Sequence, residues 1–381
     1  KGVAVGYHAG KNNNGNYNVF VGENTGFNTS SSNNTSVGNN AGRSSTASDH
    51  TSIGYQAGYS QTSGSGNTNV GHAAGKDNTT GTNRVMVGYQ AGENNTGSNN
   101  VFLGKATGKG AGSGAQTIAI GQGVMETASA ASNSVFIGNF MAANCTAGSG
   151  STVAIGTNCL SAAGYSGTGN TALGHQSAQA LESGVDNTSV GRNSADALIT
   201  GNYNVNIGSD SGKLNTASDG QINIGHEAGA TSTNAYDVHI GYNAGKNSEP
   251  GSASANVAIG KDAMLGVAAS TTSFASVAIG TSALKAVTGG DRLIGIGFEA
   301  GEAHTSNSSS IYIGYQAGTN ANSSNTVVVG AGALDALVGS WNSHCVVGED
   351  ACTATTSKNE HHAFGFEALR SQTSGERNSA F

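Results

Sequence analysis

The side chains of this 381-residue chain that could do chemistry are few and poorly grouped. Its ten histidines are scattered, and the one adjacent pair is His361-His362. No G-x-S-x-G elbow, H-E-x-x-H helix or Gly-Lys-Ser/Thr phosphate loop occurs, although 60 glycines invite the last reading. Aspartates are too sparse and out of register for G-G-x-G-x-D calcium repeats. Four cysteines, Cys145, Cys159, Cys345 and Cys352, form no C-x-x-C pair, and no histidine set has zinc-ligand spacing. They read as small buried hydrophobes, with a Cys345 to Cys352 bridge across one corner left open. We therefore expect no catalytic residue, no cofactor and no metal, and read the chain as not an enzyme.

One chemical feature keeps a fixed register. Ten rings follow a recurrent glycine: Tyr7, Tyr55, His72, Tyr89, His175, His226, Tyr242, Phe298, Tyr315 and Phe366. An aromatic offers an apolar face and a polar tip, so Tyr7, Tyr55, Tyr89, Tyr242 and Tyr315 are candidate surface or glycan contacts. Trp341, in the loop 338–342, joins them. The other reading is that the rings pack on one another or shield a corner.

The element that must position these rings is a short repeat. Taking the glycine of a V/I-x-V/I-G core as marker, there are 22 copies, spaced 16 to 20 residues apart. Gly6, Gly22, Gly54, Gly88, Gly241 and Gly314 are examples. Self-similarity at so short a period identifies a repeat architecture in which each unit depends on its neighbours. The residue before the glycine is aliphatic in every copy but the last, Phe364, and the residue three before is Val, Ile or Thr in 20 of 22. Positions two apart share one face of a strand, and β-branched residues suit a pleated surface. Each core is thus a short strand, and the glycine after it permits a corner or close backbone approach. Three residues later the side chain is small in 20 of 22 copies, which keeps the interior thin. The remaining Asn-, Ser-, Thr- and Gly-rich residues read as turns.

Strand, corner, second strand and turn make one coil of a parallel β-solenoid. About 22 coils at roughly 4.8 Å each would form a rod roughly 100 Å long. We expect the rows one and three before the glycine to face inward. The row two before then points outward. It is apolar in 14 copies, among them Phe20, Met86, Phe102, Phe136, Tyr312 and Val328. A large exposed apolar row implies a partner, so these six are the expected contacts between chains of a homotrimer.

Composition narrows the function classes. Only 10% of residues are charged, the net charge is -7, and no basic run offers a grip on nucleic acid. No apolar stretch reaches the roughly 20 residues of a membrane-spanning helix, so no membrane insertion is expected of this segment. The unbroken repeat argues for one continuous rod over 1–381, cut from a longer chain. It is most regular over 1–112, Ala/Ser-rich over 113–200, regular again over 201–245 and longer-looped over 246–381. The sole proline, Pro250, lies in an expected protruding loop.

The recurrent V-x-I-G-x-x-A core resembles the head repeats of trimeric autotransporter adhesins of the YadA-like kind. Gly-Tyr-Gln-Ala-Gly and the closing stretch from Gly365 to Gly375 are similar to repeats of phage tail-fibre proteins. The resemblance covers essentially the whole chain and implies an elongated homotrimer of left-handed parallel β-rolls. It also implies an extracellular, virion or cell-surface location and a structural role in attachment, with a glycan or protein receptor on the host. Two alternatives are a self-assembling extracellular filament and a glycan-binding repeat module.

Overall fold

The computed structural model describes residues 1–381 except 129–130, 143–144, 146–149, 248–254, 267–274, 336–339, 355–359 and 374–376, and except the side chains of 340–342. Pro250 and the side chain of Trp341 lie outside the described residues. The chain divides into two units, Lys1–Asp186 and Asn187–Phe381. Among the described residues there are strands and turns and no helix.

Each unit is a parallel β-solenoid. In the first, eleven strands run from Gly2–Val5 to Thr171–Leu173. Each pairs in parallel with the next at equivalent repeat positions, as in Val19↔Thr35, Phe20↔Ser36 and Val21↔Val37. Twelve strands of the second, from Thr188–Val190 to Ser379–Ala380, follow the same rule. A small extra pair, Asn322–Ser324 with Ser340–Asn342, lies beside them in that unit. A parallel ladder needs a connection between strands, and here the rest of each coil supplies it.

The marker glycines explain the corner. Their φ values are strongly positive, for example +135° at Gly22 and +139° at Gly88 and Gly314. A Cβ on Gly88 would stand 2.3 Å from the Gly104 carbonyl oxygen, and one on Gly6, Gly54, Gly241 or Gly314 2.5 Å from the next coil's marker carbonyl. Conformation and stacking therefore both demand glycine.

The two faces of the strand are the two that alternation separates, but inside and outside are exchanged. The row two before the glycine is interior: Phe20 is 1% exposed and Met86, Phe102, Phe136, Tyr312 and Val328 are fully buried. The Val/Ile rows one and three before it face outward. Phe20, Met86, Phe102, Phe136, Tyr312 and Val328 are thus core residues of their own chain and cannot be contacts between chains.

Volume is the physical reason. A side chain two before the glycine projects toward the residue four after it, and the two share one space. At Phe20 and Tyr312 the second is glycine: a Cβ on Gly26 would meet the Phe20 ring at 2.4 Å, and one on Gly318 the Tyr312 ring at 2.3 Å. Phe136 and Val328 are instead matched at that position by Ala142 and Leu334, all four buried. Where the second is Met125, Leu160, Met264 or Leu284, the first is Ala119, Ala154, Ala258 or Ala278, and all eight are buried. The bulky closing residues therefore fill the coil from the opposite wall, as close packing requires.

Candidate functional site

The outward rows form two columns along each unit: the row one before the glycine is aliphatic up to the final Phe364, and the row three before it is mainly Val and Ile, with Thr35, Thr51, Thr68, Thr171 and Thr188 among them. Val85, Val87, Val153 and Ile155 in the first, and Ile207, Ile279, Ile296 and Ile313 in the second, are 36–42% exposed. Such values mean that each side chain is flanked above and below by its equivalents and bare on its outer side. Summed over the strands of one unit, this is on the order of 1,000 Å² of apolar surface, against a few hundred on an ordinary monomer. Thr would serve strand propensity equally well. It occurs in five copies of the row three before the glycine and in none of the row one before, so the outward column one before the glycine is the one kept strictly apolar.

The ring row borders these columns. Tyr55 and Tyr89 stack on either side of His72, with centroids 5.1 and 5.0 Å apart. Tyr242 stacks on His226 at 5.1 Å and Tyr315 on Phe298 at 5.3 Å, while Tyr7 stacks on its neighbour His8 at 3.9 Å. All five tyrosines are exposed. Each of these tyrosines turns one face on a neighbouring ring. Tyr17, Tyr203 and Tyr236, five before the glycine, are further exposed rings that the marker-based reading passed over.

A third row was also missed. Four before the glycine a polar side chain is buried in most coils, including Asn18, Asn34, Asn67, Asn100, Asn187 and Asn204. Each accepts from the backbone N–H of its equivalent in the next coil: Asn34 N donates to Asn18 Oδ1 at 2.8 Å, Thr117 N to Asn100 Oδ1 at 2.9 Å and Gln221 N to Asn204 Oδ1 at 2.9 Å. Most of the amide nitrogens donate to turn carbonyls one coil on, as Asn100 Nδ2 does to Gly114 at 2.7 Å, while Asn34 Nδ2 donates to Ser31 Oγ at 2.9 Å. The fixed register of these asparagines was the available signal; they read as turn residues because Asn is common in turns.

Ionisable groups of this row, and His239 of the row two before the glycine, are buried inside the coils. Burial first, and then the positive charge of Arg84, lowers His50 to about 4. Burial lowers His239 to about 4, raises Asp237 to about 6 and lowers Arg84 to about 9. Burial and the neighbouring His361 and His362 lower His344 to about 4. His239 Nε2 and Asp237 Oδ2 are 3.9 Å apart, wholly enclosed and without access for a substrate. Among the described residues no group of three or more His, Cys, Asp or Glu could hold a metal ion.

None of the four cysteines is in a disulfide. Cys145, Cys159 and Cys352 are buried, but Cys345 stands half-buried in the outward column three before Gly348, so no corner bridge joins it to Cys352.

No family model, no curated protein and no solved structure matches the chain.

Proposed function

We propose that this chain is a structural shaft: three copies align in parallel with their aliphatic columns turned toward a common axis. The observation that supports this reading is the aliphatic column one before the glycine, with the Val/Ile/Thr column beside it, which both units of repeat leave half-bare. Parallel, in-register alignment suits a surface that repeats itself every coil, because a closed symmetric arrangement covers every column at once. The likeness of the repeats to tail-fibre and adhesin-head repeats extends the proposal to an extracellular or virion-borne fibre that holds an attachment site away from a surface. The exposed tyrosines Tyr7, Tyr55, Tyr89, Tyr242 and Tyr315 are the part left for a glycan or protein receptor.

The test is to place charge on the columns. Ile207→Lys with Ile240→Lys should leave the circular dichroism unchanged and convert the assembled chain to single chains in sedimentation. If the variant stays assembled, the columns are not the interface. Open-ended growth of the unmodified chain would instead favour a filament.

A further inference from the structure

In one stretch of interior, buried polar side chains converge without hydrogen-bonding one another. In the coils carrying Thr51–Ile53 and Thr68–Val70, the residues two before the marker are Ser52 and Asn69, and those four after it are Gly58 and Gly75. Neither wall of the Ser52 coil is large, and Gln61 turns into the space. The three side chains converge: the point where a Cβ on Gly58 would stand is 2.4 Å from Ser52 Oγ, 3.0 Å from Asn69 Nδ2 and 3.2 Å from Gln61 Cδ. All three residues are at most 1% exposed. Nevertheless Ser52 Oγ, both amide atoms of Gln61 and both amide atoms of Asn69 make no hydrogen bond within the protein. Buried amides and hydroxyls are otherwise almost always paired.

In the second unit the same row carries direct bonds between coils, although Asn206 Nδ2 and His239 Nε2 make no hydrogen bond. Asn223 Nδ2 donates to Asn206 Oδ1 at 2.8 Å and to Gln221 Oε1 at 3.0 Å, and Asn223 Oδ1 lies 2.7 Å from His239 Nδ1. Asparagine spans the roughly 4.8 Å between coils; serine is too short. We propose that the interior around Ser52, Gln61 and Asn69 binds ordered water, which bridges the serine hydroxyl to the two amides. Water is small enough for a closed coil, both donates and accepts, and is held at buried sites by two to four such partners. The site is independent of how the chain assembles.

A crystal structure of the unmodified chain should show a water peak within about 3.2 Å of at least two of these side chains. Ser52→Asn rebuilds the direct ladder seen at Asn206 and Asn223. It should abolish the peak, reduce the number of long-lived waters counted by ¹⁷O relaxation dispersion, and raise Tm by about 1–2 °C. Amides found bonded directly to one another with no water density would overturn the proposal. So would an unchanged count and Tm in a folded Ser52→Asn variant.

Discussion

Within the second unit, residues 206–245 and 258–363 enclose opposite kinds of interior on the same backbone. The first is polar: Asn206, Asn223, His239 and Asp237 are buried and hydrogen-bonded along the coil axis. The second is a continuous apolar cluster that includes Met264, Leu284, Tyr312, Val328, Leu334 and Val346. The outer columns do not follow this change, because Val205, Ile207, Ile222, Ile224, Val238 and Ile240 outside the polar stretch match Val257, Ile259, Val277 and Ile279 outside the apolar one. The interior changes from polar to apolar between these stretches, while the outward Val and Ile columns beside them stay aliphatic. That contrast is the reason for assigning the columns to an interface.

Substitutions can break the comparison from either side. Tyr312→Ala should cost about 3–5 kcal/mol, because it opens a cavity among apolar neighbours and leaves His304 Nδ1, now 3.1 Å from the Tyr312 hydroxyl, without that partner. Chemical denaturation measures it, and a loss under about 1 kcal/mol would mean the apolar stretch is not close-packed.

In the polar stretch the effect should appear through pH. The folded pKa of His239, about 4, lies below its ordinary 6.5, so its contribution is complete above pH 6.5 and is lost as pH falls toward 4. Asp237, raised to about 6 from 3.8, has the opposite sign: its contribution is present below 3.8 and lost as pH rises through 6. The two largely cancel in the unmodified chain. In His239→Asn only the second remains, so the variant should gain on the unmodified chain by up to about 3 kcal/mol between pH 6.5 and 4. A pH-independent difference would contradict the burial of the imidazole. Asn223→Leu should cost about 2–3 kcal/mol by stripping Asn206 and His239 of partners; a neutral result would show that the polar ladder is dispensable.

The smallest expected effect on stability lies outside. Cys345 is the one cysteine on the aliphatic face. Mild oxidation should give covalently linked pairs of chains that disappear in Cys345→Ser, with folding unchanged. Links through a buried cysteine, or none, would count against columns that face each other in register.

Much of the fold was legible in the residues. Marker glycines, strand positions, small residues three later and the solenoid itself follow from period and type. Which face is inside did not, because alternation fixes two faces without assigning either to the core, and hydrophobicity alone favours the wrong one. The deciding signal, large Phe20 against Gly26 and small Ala154 against Leu160, is a size correlation between positions six apart, visible only once the coil is closed. The asparagines four before the glycine were hidden for another reason: a buried ladder and an exposed turn use the same residue.

The most direct test of the account is the absolute mass of the unmodified chain in dilute solution, by light scattering after size exclusion. Columns joined about an axis predict three times 37.6 kDa. A stable single-chain mass, with the columns left in water, would contradict it.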